Sequence, residues 1–268
     1  MNAPLDEGRL DDVLRGTGVS AAAFLADFRH CTDVDVEQLL AAVAGGDLVR
    51  AEQLAHRIEG ASRVIGAQPI ARACAAMSEA SRALEPARLR LKLDAFLLCQ
   101  SELYAWIEAL DPSALRPGPG AGGGPVCAGL NFLVVDDHEF QRSMILRLLR
   151  QLGALDVRGF ADGAGALAAA RELAAPAILV LDLAMPSLDG MEVMRIVADE
   201  RLPLSVIMNS ALADDLLRWP LQAARSYGTA VLGAVSKPLT AAKLAPLLAQ
   251  HRHNLRPLAG SPGAPPAA

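Results

Sequence analysis

The sequence has 268 residues, carries a net charge of −5 and is 52% hydrophobic but only 4% aromatic. This length suits about two domains, and the acidic balance argues against a nucleic-acid partner, because phosphate backbones require clustered Lys and Arg. No apolar run reaches the ~20 residues of a membrane span. The acidic N-terminus lacks a signal-peptide core, so we expect a cytoplasmic protein without membrane insertion.

The first segment, residues 1–110, has the apolar spacing of helices throughout most of its length. This spacing predicts helices over 20–30, 34–45, 47–66, 68–84 and 86–110. Gly45-Gly46, Pro69 and Pro86 mark breaks between them. Short connections between long amphipathic helices predict an antiparallel all-α bundle.

A stretch rich in Gly and Pro, "DPSALRPGPGAGGGPVCAG", occupies residues 111–129. It has no apolar period and predicts a flexible linker. The C-terminal residues 253–268 are predicted to be a disordered tail on their composition. A second domain is therefore expected between them, over residues 130–252.

This second segment alternates short Val-, Ile- and Leu-rich runs with helical patterns. The runs are 131–135, 156–160, 177–182, 204–209 and 229–235, and the helical patterns are 139–153, 163–174, 189–199, 213–227 and 240–251. Five βα units in succession predict an α/β doubly wound parallel sheet with helices on both faces. Such sheets bind ligands at the carboxyl ends of their strands, near a topological switch point.

Polar side chains with complementary chemistry follow several of these strands. Asp136 and Asp137 follow the first strand, and Asp182 ends the third. Three carboxylates at one edge of a sheet either have raised pKa values or require a cation, and oxygen ligands of this kind suit Mg²⁺. Ser210 and Lys237 follow the fourth and fifth strands. A nucleophilic carboxylate, metal ligands, a hydroxyl and a lysine together suit phosphoryl transfer, in which positioning and charge neutralisation dominate.

The motifs "VVDDH", "LVLDLAMPSLDGMEVMR", "VIMNSA" and "VSKP" resemble the receiver domain of two-component response regulators, which has a flavodoxin-like fold. The resemblance implies that Asp182 is the phosphoacceptor. It also implies that Asp137, Asp182 and the carbonyl of Ala184 ligate Mg²⁺ directly, while Asp136 acts through water.

The same resemblance gives the hydroxyl and lysine roles to Ser210 and Lys237. One position departs from the family pattern. Receivers usually carry an aromatic rotamer switch three residues before the lysine, where this chain has Ala234. The usual coupling between hydroxyl and aromatic ring is therefore in doubt. His138, next to the acidic pair, is expected at the rim of the pocket.

A single histidine stands out in "LAHRIEGASRVIGA", residues 54–67. Helical spacing puts His56 opposite the core stripe, facing solvent, with Glu59, Gly60 and Arg63 on its side. A glycine inside a helix costs about 1 kcal/mol relative to Ala, and its missing side chain would let an acidic pocket approach the imidazole. The alternative interpretation is a solvated histidine beside an incidental glycine.

The stretches "AHRIEGASRVIGA" and "IARACAAMSEAS" resemble the histidine-phosphotransfer domain, over residues 18–110. The resemblance implies a four-helix bundle with His56 as phosphocarrier. Glu59 departs from the family, which commonly has lysine there. Its carboxylate would repel phosphate, modestly while exposed, and Arg63 would compensate.

Together these features predict a phosphorelay protein. It would pass phosphoryl groups between His56 and receiver aspartates, with Asp182 phosphorylated on its own receiver. The expected partners are sensor or hybrid histidine kinases and the receivers of other regulators. No Walker-type loop is present, so we expect a phosphotransfer intermediate rather than a turnover enzyme, and no room remains after residue 252 for a DNA-binding domain.

Two alternatives remain open. In the first, phosphorylation of the receiver switches a protein-interaction module whose bundle docks a kinase or regulator without carrying phosphate. In the second, the chain is an aspartate-nucleophile phosphatase. Such enzymes use a DxD pair, and Ala184 stands at the second position of that pair, which argues against it.

Overall fold

The computed structural model describes residues 4–17, 20–110, 126–183, 185, 189–210 and 218–255. An N-terminal helical layer precedes an α/β layer with a parallel sheet, which confirms the predicted fold class. Most of the predicted linker and the tail beyond residue 255 lie outside the described residues. None of the described helices is both long enough and apolar enough to cross a membrane.

The helical layer of the described chain has five helices. They are α1 (Glu7–Thr17), α2 (Ala21–Gly45), α3 (Leu48–Ile65), α4 (Gln68–Arg82) and α5 (Pro86–Ala109). The two helices predicted over 20–30 and 34–45 are wrong as separate elements, because α2 runs through both. Residues 31–33 contain neither Gly nor Pro, and Thr32 is buried inside the bundle, so nothing interrupts the helix. Helices α2 to α5 form the predicted bundle.

Helix α1 was not predicted from the sequence. Its residues Leu10, Val13 and Leu14 have the i, i+3, i+4 spacing of one helical face, and all three are buried. It packs at the C-terminal end of α3, where the Asp6 N–H donates to the Gly66 carbonyl oxygen at 3.1 Å. Gly66 has φ of 85°, and a Cβ there would lie 3.1 Å from the carbonyl oxygen of Asp6. The turn therefore requires glycine both for its conformation and for this close approach.

The α/β layer alternates strands and helices in the predicted order. The elements are β1 (Asn131–Val135), α6 (Glu139–Gln151), β2 (Asp156–Phe160), α7 (Gly163–Arg171), β3 (Ala177–Asp182), α8 (Gly190–Asp199), β4 (Leu204–Ser210), α9 (Arg218–Ser226), β5 (Ala230–Ser236) and α10 (Ala241–Leu255). All pairings are parallel, in the order β2-β1-β3-β4-β5. The order reverses direction between β1 and β3, so the switch point lies there. The start of the predicted helix 213–227 lies outside the described residues.

The boundary of this layer differs from the predicted linker. Residues 126–129 belong to the α/β layer, since the Cys127 N–H donates to the Leu152 carbonyl oxygen at 2.8 Å. The Cys127 side chain is fully buried against the sheet. The Gly/Pro-rich composition of this stretch masked that anchor.

Helix α6 is shared by two hydrophobic cores. Ile145, Leu148 and Leu149 pack on the sheet, whereas Phe140 and Met144 belong to the core of the helical bundle. The α6 helix therefore joins the two layers. Each of its apolar faces is buried, so α6 cannot be fully packed unless the layers stay together.

Phe140 makes the closest aromatic contacts between the two layers. Its ring centroid lies 5.4 Å from that of Phe24 and 5.6 Å from that of Phe28, at tilted and edge-on angles. All three rings are fully buried. Such pairs add about 0.5–1.5 kcal/mol beyond the burial of their area. An exposed ion pair, Arg147 to Asp27 at 2.6 Å, flanks them.

Replacing Phe140 with alanine tests this joint. Loss of a buried Phe typically costs about 3–5 kcal/mol, and we expect that loss in the bundle as well as in the α/β layer. Hydrogen exchange resolved by segment should therefore show faster exchange in α2 around Phe24 and Phe28. Leu149→Ala, on the sheet-facing side of α6, should raise exchange in β1 and β2 instead.

Leu155→Ala is the control, because this leucine is 74% exposed. Unchanged exchange of α2 in the Phe140→Ala variant would contradict a shared helix.

Candidate functional site

An acidic pocket lies at the switch point of the sheet. Asp136 and Asp137 directly follow β1, and Asp182 is the last residue of the neighbouring β3. Carboxylate oxygens from these three residues all lie within 4.8 Å of one another. This set fits a hard divalent cation such as Mg²⁺, which takes one or two carboxylates and keeps several waters.

Lys237, which follows β5, neutralises part of this charge. Its Nζ donates to Asp136 Oδ2 at 2.9 Å and to Asp182 Oδ2 at 2.8 Å. Burial alone would lower the pKa of Lys237, but the two carboxylates outweigh it and raise that pKa. Lys237 is therefore a fixed cation beside Asp182.

Asp137 carries the charge that the lysine leaves unbalanced. Burial, together with the neighbouring Asp136 and Asp182, raises the pKa of Asp137 to about 6 from its usual 3.8. A carboxylate that resists ionisation next to two others favours binding of a cation.

The remaining predicted receiver residues are placed as follows. Ser210 is buried at the end of β4, where its carbonyl oxygen accepts from the Lys237 N–H at 2.7 Å. Asn209 pairs in register with Asp182, so the hydroxyl and the acidic pocket share one edge. Ala234, on β5, is partly buried against the hydrophobic core that includes Val206 and Met208 of β4. Ala184 lies outside the described residues.

His56 lies across an open cleft from the acidic pocket. It projects from the middle of α3, a helix capped by Asp47, whose Oδ1 accepts from the Arg50 N–H at 2.9 Å. Its side chain is 41% exposed. The cleft has about 880 Å³ of empty space, with one wall formed by bundle residues and the other by receiver-side residues. The lining residues are Glu52, Gln53, His56, Arg57 and Arg82 on the first wall, and Asp137, Leu183, Met185 and Asp189 on the second.

Glu59 is not exposed, contrary to the sequence-based expectation. Its side chain is only 8% exposed, and its Oε1 pairs with Arg63 Nη2 at 2.5 Å. Its Oε2 lies 3.9 Å from His56 Nδ1, too far for a hydrogen bond but close enough for electrostatic attraction. The carboxylate therefore approaches the imidazole from a buried position that does not line the cleft, and its ion pair with Arg63 balances its charge.

Gly60 accommodates the receiver helix. A Cβ built at Gly60 would lie 2.5 Å from Gln141 Nε2, on α6. Gln141 is itself buried, so it has little room to move away. The glycine thus permits close approach of α6 and α3, one turn from His56.

Sequence reasoning missed Arg57 and Asp35. Arg57 Nη2 lies 2.8 Å from Asp35 Oδ1, which α2 holds at 1% exposure. Arg57 also lines the cleft and favours the ionised form of Asp137 across it. The clue for Arg57 was a cation immediately after the histidine. No local signal marked Asp35, because its burial depends on the docked α6.

His138 is buried rather than at the rim of the pocket. It caps α6, with its Nδ1 accepting from the Phe140 N–H at 3.2 Å. Its Nε2 lies 3.5 Å from Asp35 Oδ2 on the bundle. Burial, with the nearby cations Arg57, Lys237 and Arg142, lowers the pKa of His138 to about 3. The ring is therefore neutral, and since Nδ1 accepts, its proton lies on Nε2, towards Asp35.

Two family models match the chain. The Hpt domain matches residues 23–111, and the response regulator receiver domain matches residues 132–249. The chain joins an Hpt domain to a receiver domain. This combination is that of a two-component phosphorelay signalling protein.

Curated relatives resemble part of the chain. A protein-glutamate methylesterase/protein-glutamine glutaminase of Lawsonia intracellularis is 40% identical over 84 residues, 31% of this chain and 23% of that protein. Response regulator GacA of Pseudomonas aeruginosa is 33% identical over 106 residues, 39% of this chain and 49% of that protein. The chain thus spans a quarter to a half of the length of these relatives.

Solved structures are also similar to about half of the chain. A response regulator from Colwellia psychrerythraea is 25% identical, and the match covers 47% of this chain and 98% of that one, with a TM-score of 0.39.

Asp137→Asn tests the charge balance of the receiver pocket. The pKa of Asp137 is raised in the fold, so its ionised form destabilises the protein above about pH 6 and costs nothing as the pH falls below its usual value of 3.8. In EDTA at pH 8, the variant should exceed wild type in free energy of unfolding by about 1–3 kcal/mol. Near pH 4 the two should agree.

Mg²⁺ should stabilise wild type and reduce the difference in free energy of unfolding between wild type and Asp137→Asn, as measured by chemical denaturation. Asp199→Asn, an exposed carboxylate on α8, is the control and should show neither effect. Equal stability of wild type and Asp137→Asn at pH 8 without metal would contradict the proposed imbalance of charge.

Proposed function

We propose that this protein is a two-site phosphorelay intermediate, in which a phosphoryl group moves between Asp182 of the receiver and His56 of the Hpt domain on the same chain. The observation that carries the proposal is the cleft, which has His56 on one wall and the mouth of the acidic pocket, at Asp137, on the other. The docked α6 holds these two walls together.

The receiver side provides the acceptor and its counter-charges. When the receiver is charged, an oxygen of Asp182 bonds to phosphorus as the bond between phosphorus and the donor breaks and the donor leaves. The bond to Asp182 breaks in turn as a nitrogen of His56 bonds to the same phosphorus. The Asp182 carboxylate is the leaving group in that direction and the nucleophile in the other. Lys237 stabilises the negative charge in both directions, because it already contacts Asp182 Oδ2. Mg²⁺, when bound by Asp136, Asp137 and Asp182, would neutralise phosphoryl oxygens.

The Hpt side prepares one nitrogen of the imidazole. Because Glu59 faces Nδ1, its negative charge favours the tautomer with the proton on Nδ1. The lone pair then lies on Nε2, the nitrogen turned away from Glu59. After phosphoryl attachment at Nε2 the ring becomes cationic, and Glu59 stabilises that charge. A carboxylate at this position therefore supports transfer from behind the ring.

Cations in the cleft take the place of the lysine that this Hpt domain lacks. Arg57 and Arg82 both line the bundle wall beside His56. Arg82 is held by two hydrogen bonds to Glu52, at 3.1 and 2.6 Å, and Arg57 is held by Asp35. Two guanidinium groups at the cleft offset the repulsion between an incoming phosphoryl group and the acidic pocket.

The partners follow from the two domains. Sensor or hybrid histidine kinases would supply phosphoryl groups, and receivers of other regulators would accept them. A second candidate function is a switched interaction module without transfer, and the absence of the usual lysine at position 59 favours it.

The residue that carries the phosphoryl group distinguishes the relay from the interaction module. The full-length protein is charged with acetyl phosphate and Mg²⁺, and the acid and base stability of the label is measured over time. Wild type should first carry an acid-stable, base-labile acyl phosphate on Asp182, followed by acid-labile, base-stable label on His56. Asp182→Asn should abolish both, and His56→Gln should abolish only the second.

Glu59→Gln should keep the Asp182 label and slow the appearance of label on His56 by about fivefold, since one such interaction is worth about 1 kcal/mol. Glu52→Gln, on the same wall but beside Arg82, serves as a matched carboxylate control with a smaller effect. Label confined to Asp182 in wild type would contradict the relay proposal and favour the interaction module.

A further inference from the structure

The buried Asp35 carboxylate lies at the interface between the Hpt domain and the receiver, where its surroundings are unusual. Arg57, on its own domain, forms an ion pair with it at 2.8 Å, and the neutral ring of His138, on the receiver, lies 3.5 Å from its Oδ2. Neither carboxylate oxygen makes a hydrogen bond of good geometry to a described side chain. A buried carboxylate is costly unless it is paired. The free-energy cost of burying Asp35 must therefore be offset by the receiver residues that dock against it.

His138 offers Asp35 a donor of fixed direction. The Phe140 N–H points to Nδ1, so the ring cannot present Nδ1 to the bundle, and its Nε2–H faces Asp35. Among the side chains that cap helices well, Ser, Thr, Asp and Asn are too short to both cap α6 and reach across the interface. A histidine cap therefore does what the common caps cannot.

The contact continues into the phosphorylation pocket through the backbone of the same residue. The His138 N–H donates to Asp136 Oδ1 at 2.9 Å, and the other oxygen of Asp136 accepts from Lys237. Lys237 in turn contacts Asp182. Asp35 on the Hpt domain is thus linked by consecutive polar contacts to the phosphoacceptor.

We propose that Asp35 is a specificity determinant of the Hpt domain, which selects receivers whose first helix is capped by histidine. Its partner of this kind is the receiver on its own chain, and the receiver of a second copy carries the same residues and serves as a probe of the selection. The proposal rests on the proposed function for its meaning in transfer, but docking itself can be measured without phosphate. Phe140 and Gln141 supply shape next to the histidine, against Phe28 and Gly60.

Transfer between two full-length copies tests this selection. The donor carries His56→Gln and is charged on Asp182 with acetyl phosphate. The acceptor carries Asp182→Asn and His138→Asn, so that its own receiver neither accepts phosphate nor presents the histidine cap. Asn keeps an N-cap acceptor for α6 but is too short to reach Asp35. Label should appear on the acceptor's His56 about tenfold faster from a donor with His138 than from one that also carries His138→Asn.

Asp35 in the acceptor should be the origin of that preference. Asp35→Ala, or Asp35→Leu where the smaller residue impairs folding, removes the acceptor and should reduce the preference towards one. Glu37→Ala, which removes an exposed carboxylate two residues along α2, should leave it at tenfold. Equal transfer from both donors to the acceptor that retains Asp35 would overturn the proposal.

Hydrogen exchange distinguishes failure of this proposal from failure of the relay. In the otherwise wild-type chain, Asp35→Ala and His138→Asn should each raise exchange in the first turns of α6, with no further rise in the double variant, and Glu37→Ala should not. If no label ever reaches His56 but this pattern holds, the relay fails and the selection stands. Unchanged α6 exchange in both single variants overturns the selection.

Discussion

The packing of α6 against two cores is the constraint on which the rest of the structure depends. Its sheet-facing residues complete one face of the receiver, and Phe140 completes the core of the Hpt domain between Phe24 and Phe28. Because both faces are apolar, separating the domains would expose an aromatic ring and a methionine to water. The same packing sets the position of His56 relative to the acidic pocket, so the site between the domains follows from a hydrophobic interaction rather than from charge.

Charge is then arranged around that fixed geometry. The receiver pocket concentrates carboxylates against a single lysine, and the raised pKa of Asp137 reports the remaining imbalance. The Hpt wall faces this pocket with Arg57 and Arg82, and its one lining acid, Glu52, is paired with Arg82. Glu59 lies behind the imidazole with Arg63, and Asp35 is enclosed by Arg57 and His138. The cleft is thereby suited to a phosphate group held between two domains.

The sequence was sufficient for features that depend on local pattern. Strand ends in a parallel sheet meet at one edge, so Asp136, Asp182 and Lys237 could be brought together from their positions alone. The bundle and the exposure of His56 followed from helical spacing. Helix α1 has a similar signal in Leu10, Val13 and Leu14, but it is short and contains glycine at positions 8 and 16, which weakens a helix prediction.

What could not be predicted depends on contact between the domains. Helical spacing correctly predicted that Glu59 lies beside His56. It also predicted that this face of α3 is exposed to solvent, whereas the docked receiver covers part of it. Gly60 was expected to admit an acidic pocket, and the group that it admits is Gln141 of α6. The burial of Asp35 and His138 has the same origin. Each is polar in a pattern that resembles a solvated surface until the second domain is in place.

The most direct test of the account is the distance between His56 and the receiver pocket in solution. Mn²⁺, which suits carboxylate sites as Mg²⁺ does, would be added to the full-length protein while the ring resonances of His56 are followed by NMR, with His56→Gln for assignment. The account predicts strong paramagnetic broadening of these resonances, absent in Asp137→Asn and reduced in Phe140→Ala. Sharp His56 resonances at Mn²⁺ concentrations that saturate the pocket would contradict a docked Hpt domain.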